Sequence, residues 1–334
     1  MRQRRKSLLD TLRAAGLVLL LPAACSSPDP TPSPAASSAP VAASPPPTAA
    51  PAPAASLCAA VTCLSIERCD EATGKCVPAC PAGEVYIPAT GPEGFVMGKG
   101  FTLNGGQKRF RKGHKADSDR PHRVILTKPF CMDETEVTVA AMKRCVEEQG
   151  CDPPKWAEVF ANYPKRLDHP ANEASWDKAK KFCTAQGKAL PTEAQWEWAA
   201  TGGDGRKWPW GDEPPTCEHA DFTIGMLVSP GGDSGCHGGG TSPVKSHPKG
   251  NRVLPTGILY DLAGNVWEWC DDNYLPYPAE TQTDPNVHKA GVVVHVVRGG
   301  GWNRSGLGIQ SAFRGAAVNT YEVPGLGFRC VRNP

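Results

Sequence analysis

An excess of either charge is missing from this chain: 36 Lys and Arg stand against 34 Asp and Glu, a formal net charge of +2. With the charge nearly balanced and no strongly basic patch beyond a stretch rich in Gly, Lys and Arg at 105–120, nucleic acid is not a favoured partner. No glycine-rich loop runs from a strand into a helix in the way that cradles phosphate, and no Ser-His-Asp arrangement can be argued. Nucleotide enzymes and serine hydrolases are therefore disfavoured. His169, His219, His237 and His247 are scattered, without the spacing of a histidine metal site. The apolar run at 14–21 is too short to span a bilayer unaided.

Proline, glycine and cysteine are plentiful instead. The chain carries 34 prolines and 35 glycines, so much of it is linker, turn or irregular loop around one principal core. Arg2, Arg4, Arg5, Lys6 and Arg13 precede the apolar run, which reads as an export signal over residues 1–25. It ends in Leu21-Pro22-Ala23-Ala24-Cys25, which resembles the cleavage box of bacterial lipoproteins, with Pro22 where that box has leucine. Lipidation of Cys25 would anchor the chain to a membrane through acyl chains, and plain secretion is the alternative. The 14 cysteines fit an oxidising compartment. Both features predict an exported protein of the cell envelope, membrane-anchored or secreted.

Residues 26–56 are almost entirely Pro, Ala, Ser and Thr, a composition that predicts an extended spacer. Residues 57–82 hold Cys58, Cys63, Cys69, Cys76 and Cys80 in a segment too short for a hydrophobic core. Disulfides are expected to hold it, with one cysteine pairing elsewhere or free; zinc is disfavoured because no histidine lies there. The main domain spans 83–334. Alternating apolar positions predict strands at 83–88, 94–98, 122–126, 130–133, 292–298, 312–314 and 326–331. Helices are predicted from the caps Thr138, Ser175 and Thr192, the last with Gln195 at capping-box spacing. Cys145 and Cys151 flank the end of the first helix and are expected to pair; Cys217 and Cys236 bracket an interval that runs into a glycine-rich loop at 231–240. The fold class is α+β with much coil.

Several phrases occur in series: Asp119-Arg120-Pro121-His122, Glu134-Thr135-Glu136-Val137-Thr138, His169-Pro170, Leu190-Pro191-Thr192-Glu193-Ala194-Gln195-Trp196-Glu197, Gly264-Asn265-Val266-Trp267-Glu268-Trp269, Arg298-Gly299-Gly300 and Gly327-Phe328-Arg329-Cys330. Together they resemble the formylglycine-generating enzyme (sulfatase-modifying factor) family. The resemblance implies an irregular C-type-lectin-like fold with bound calcium. It also implies oxidation of a sulfatase cysteine within Cys-x-Pro-x-Arg, by oxygen and a copper ion held by two cysteines. Thiolates are soft ligands that select Cu(I). In this chain Ser305 and Gln310 match the two ligand positions, and no cysteine lies between Cys270 and Cys330. A family disulfide is missing at Ala200 and Gly315 by the same match, while Cys183 with Cys330 is retained.

By the resemblance, Asp261, Gly264, Val266 and Glu268 would hold calcium, through side-chain oxygens of Asp261 and Glu268 and carbonyls of Gly264 and Val266. The bland alternative is that Asp261 and Glu268 only bond backbone amides around a buried Trp267. A second calcium site would begin at Asp221 and Phe222, with Asp233 as a distant donor. Trp196, Trp198, Trp267 and Trp269 are expected in the core in preference to a ligand platform. Two functions remain. One is an exported, lipid-anchored binding domain for a protein or peptide, stabilised by calcium, with copper not expected. The other is an oxidase of the family acting on a protein cysteine.

Overall fold

The three helices form where the caps predict them. Thr138 precedes α1 (Val139–Gln149) and its hydroxyl accepts the Ala141 N–H at 3.2 Å; Gly150 ends the helix at φ 69. Ser175 caps α2 (Trp176–Ala185) through the Lys178 N–H at 3.4 Å. Before α3 (Glu193–Thr201), Thr192 and Gln195 exchange bonds of 3.1 and 2.9 Å, the full capping box.

The computed structural model describes residues 61–64, 67–70, 72–99, 120–155, 160–224, 235–236 and 238–333. All lie in one compact unit, Ala55–Pro334. The export signal, the spacer, Cys25, Cys58, Asp233 and His237 lie outside the described residues.

Short strands surround the helices. β1 (Glu67–Asp70) and β2 (Lys75–Pro78) form an antiparallel hairpin closed by a Cys63–Cys76 disulfide. Cys80 pairs outside its own segment, with Cys131 in β6 (Phe130–Asp133), and fastens the hairpin segment to the main domain. β6 is the centre of a three-stranded sheet, between β3 (Glu84–Ile87) and β14 (Val331–Arg332). A second sheet places β5 (His122–Ile125) between β4 (Phe95–Met97) and β10 (Gln282–Thr283). β7 (Arg252–Leu254) and β8 (Gly257–Leu259) make a further hairpin. The largest sheet runs β12-β11-β9-β13, with β9 at Trp267–Asn273, β11 at Val294–Arg298, β12 at Gly315–Val318 and β13 at Leu326–Gly327.

Two apolar clusters meet on β9. The first takes Trp267 and Trp269 with Met142 of α1 and Phe182 of α2; the second takes Cys270 with Trp196 of α3 and the β3–β6 sheet. All seven residues of β9 are buried, which explains why it carries no alternating pattern and was not among the predicted strands. Two predicted strands are also revised. The strand expected at 312–314 begins at Gly315, because Phe313 closes a turn onto the Gln310 carbonyl (2.9 Å) and Arg314 enters a buried ion pair. The strand expected at 326–331 is two pieces, because the carbonyls of Phe328 and Cys330 accept the N–H groups of Val137 and Asp133 instead of continuing one ladder. Of the four tryptophans, Trp196, Trp267 and Trp269 are buried, while Trp198 is half-buried and donates to the Pro88 carbonyl at 2.8 Å.

Candidate functional site

The exit from β11 is a double glycine, Gly299 and Gly300, at φ 85 and 73. A Cβ on Gly300 would lie 2.5 Å from the Gly308 carbonyl oxygen, so the chain doubles back here at a distance only glycine permits. The returning segment is fixed by Thr223, whose N–H bonds the Arg304 carbonyl at 2.8 Å and whose hydroxyl bonds the Trp302 carbonyl at 3.1 Å. This leaves a cleft of about 390 Å³ between the 304–308 loop and β12, walled by Trp267, Phe313, Tyr321 and Val323. Ser305 lines the cleft; Gln310 is buried. At Gly315 a Cβ would come within 2.7 Å of both the Trp267 ring and Val297, so this position has no room for a cysteine side chain without repacking.

Beneath the cleft lies a charge network. Arg314 holds Glu193 through bonds of 2.6 and 2.9 Å and stacks over the Tyr277 ring at 3.9 Å. Arg298 pairs with Glu197 and bonds the Ser311 carbonyl at 2.9 Å. Burial acts to raise the Glu193 carboxyl, but Arg314 and Arg298 together hold it below its ordinary value. Glu193 and Glu197 are one helical turn apart on α3, so a single helix face anchors both arginines and with them both ends of the 298–314 segment.

The 261–268 turn is shaped by two non-glycine residues of positive φ, Asp261 (55) and Asn265 (54). Glu268 accepts the Arg329 guanidinium on both oxygens, at 2.7 Å each, and the Trp196 indole N–H at 2.7 Å. Asp261 accepts the Lys245 N–H at 2.7 Å. Glu136 accepts the Asn265 amide at 2.8 Å and the Val266 N–H at 3.2 Å. Burial, with neighbouring carboxylates adding to it, raises Glu136 well above the usual carboxylate range and pushes Asp261 up to about 6. Glu136, Asp261 and Glu268 lie in the field of one guanidinium, which only Glu268 bonds, and a bound cation would offset the burial that raises the other two. A carboxylate has about four acceptor positions; Glu268 uses three and retains one. That donor chemistry fits calcium.

At the other expected calcium position, Asp221 accepts the Ser242 hydroxyl at 2.8 Å, and the carbonyls of Asp221 and Phe222 accept the N–H groups of Asn265 (2.9 Å) and Cys236 (3.1 Å). Among the described residues no three His, Cys, Asp or Glu side chains form a metal-holding group; the calcium set above relies on carbonyls at Gly264 and Val266. Disulfides join Cys183 to Cys330, Cys145 to Cys151 and Cys217 to Cys236. Cys270 is a free thiol, and burial pushes it well above its ordinary value. Sequence reasoning gave no role to Glu136, Glu193, Arg298, Arg314 or Arg329. The spacing of Glu193 and Glu197 one turn apart, on a helix otherwise made of Ala, Trp, Gln and Thr, was the available signal.

Residues 92–334 match the model of the sulfatase-modifying factor enzyme 1-like domain. The chain is 36% identical to the formylglycine-generating enzyme of Thermomonospora curvata, over 76% of this chain and 99% of that one. It is 35% identical to the inactive C-alpha-formylglycine-generating enzyme 2 of Bos taurus, over 70% of this chain and 89% of that one. Among solved structures, PvdO from Pseudomonas aeruginosa superimposes with a TM-score of 0.55 at 21% identity, covering 75% of this chain and 94% of that one. That likeness gives the fold alone, the irregular C-type-lectin-like α+β architecture of few helices and many short strands. By the domain match and by these relatives, the chain belongs to the sulfatase-modifying factor family, that of the formylglycine-generating enzymes.

Proposed function

We propose that this chain is a binding member of its family: an exported, lipid-anchored domain, braced by calcium, that holds a protein or peptide partner and performs no copper oxidation. The observation that carries the reading is the cysteine-free interval between Cys270 and Cys330. There the family's thiolate pair is matched by Ser305 and Gln310. A hydroxyl and a buried amide are poor Cu(I) ligands, so the residues present do not fit copper and no oxidation is assigned to them. Cys270 is no substitute, because its buried thiol resists forming the thiolate that a soft metal needs. Calcium, in contrast, suits the carboxylates around Arg329, with Glu268, Asp261 and the carbonyls of Gly264 and Val266 as its holders. It would tie the 261–268 turn to β9 and so brace the floor of the cleft. Lipid anchoring rests on Cys25 after its run of small residues, and export on the signal before it.

The 36% identity to a formylglycine-generating enzyme supports a second reading, an oxidase that modifies a protein cysteine. Elemental analysis of the purified, oxidised chain separates the two, together with mass spectrometry of a Cys-x-Pro-x-Arg peptide incubated with it, copper and oxygen. The binding reading expects calcium without stoichiometric copper or iron, and an unchanged peptide. A stoichiometric transition metal or a converted cysteine would sink it and put the oxidase in its place.

A further inference from the structure

β12 is the outer strand of the largest sheet, and among the described residues no strand lies beyond it. Its register with β11 pairs Val294 with Val318, His295 with Ala317, Val296 with Ala316 and Val297 with Gly315. Asn319 donates its N–H to the Val293 carbonyl at 2.7 Å, which fixes the alternation of the ladder. Gly315 and Ala317 exchange bonds with β11, so Ala316 and Val318 turn their N–H and C=O groups to the open side. The Val318 carbonyl is taken by the Tyr321 N–H at 2.9 Å. Both groups of Ala316 and the N–H of Val318 remain on that side, and Ala316 and Val318 are exposed. An edge of this kind is a template for another extended chain.

The edge opens onto the cleft, since Gly315, Ala316 and Ala317 are part of its lining. The rest of that lining is apolar at Trp267, Phe313 and Val323, and it contains two arginines and no carboxylate. Arg314 is neutralised by Glu193. Arg304 is exposed and reaches over the Trp267 ring at 5.7 Å, so its charge faces the cleft without a carboxylate in the lining to offset it.

We propose that the cleft takes an extended peptide by strand addition to β12, with a carboxylate of the peptide on Arg304 and an apolar side chain against Trp267 and Phe313. This inference rests on the peptide-binding reading above and gives it a mode. Main-chain bonds to Ala316 and Val318 supply affinity independent of sequence, and the alternating side chains supply selectivity.

The test uses the full chain and two capped peptides, one of alternating valine and glutamate, the other of alternating valine and lysine. Fluorescence anisotropy should give binding of the glutamate peptide only, and hydrogen exchange should slow at the Ala316 amide when it binds. Ala316→Pro removes an N–H that β11 does not use, a substitution edge strands tolerate. It should weaken binding at least tenfold with the melting temperature little changed. Arg304→Glu should reverse the preference toward the lysine peptide. Equal binding to wild type and Ala316→Pro overturns the strand addition and leaves the peptide-binding reading standing. Failure of both peptides to bind at millimolar concentration also overturns it, while the metal and conversion assays judge the broader reading by themselves.

Discussion

Asp272 is a buried carboxyl with a measurable consequence. Its oxygens accept the Glu193 N–H at 2.7 Å and the Val287 N–H at 2.8 Å. Burial, and then the Glu193 charge, push its pKa up to about 7 from the ordinary 3.8. Between roughly pH 4 and 7 the folded chain keeps a proton that the unfolded chain has lost, so stability falls as pH rises through that window and levels off above it. At about 1.4 kcal/mol per unit, the loss is on the order of 4 kcal/mol. Urea midpoints measured from pH 4 to 7 should decline, and Asp272→Asn should make the decline shallower; parallel profiles would show that Asp272 does not titrate there. Neither this residue nor the pairs Glu193–Arg314 and Glu268–Arg329 were legible as a site in the sequence. The partners are 121 and 61 positions apart, and no local pattern joins them.

At the scale of elements, what was legible was local. Thr138, Ser175 and Thr192 announced their helices because a cap acts within four residues. β9 was hidden, since a strand buried on both faces loses its alternation and here also carries Asp271, Asp272 and Asn273. The turn out of β11 makes a prediction at this scale. Gly291 and Gly300 share positive φ, 78 and 73, but a Cβ on Gly291 meets nothing within 4 Å, whereas on Gly300 it meets the Gly308 oxygen at 2.5 Å and Ile309 at 2.7 Å. Gly291→Ala should cost about 1 kcal/mol from the backbone conformation alone. Gly300→Ala should cost roughly 1–3 kcal/mol more, because the 304–308 loop must move. Thermal unfolding of the two variants side by side measures the difference. Equal losses would mean that the loop accommodates the methyl group freely.

For the whole molecule, the disulfides set how much of the chain is tied together. Cys183–Cys330 joins α2 to the residue before β14 across a sequence separation of 147, and on the loop-entropy model it is worth about 5 kcal/mol. Cys145–Cys151 spans only 6 and is worth about 2 kcal/mol on the same model. Replacing both members of the long pair by Ala should therefore lower the denaturation free energy by more than replacing both members of the short one. The reverse order would mean that residual structure in the unfolded chain already holds α2 near the C-terminus.

The sequence by itself determined the helices and their caps, the α+β class and the family, because each is written in short phrases whose physics acts over a few residues. Tertiary structure decided which carboxylates lie in the field of Arg329, which arginines Glu193 and Glu197 anchor, and that β12 has an open edge facing the cleft. These depend on residues far apart in the chain meeting in a low-dielectric interior. There a charge keeps its place only beside a partner that no local pattern names.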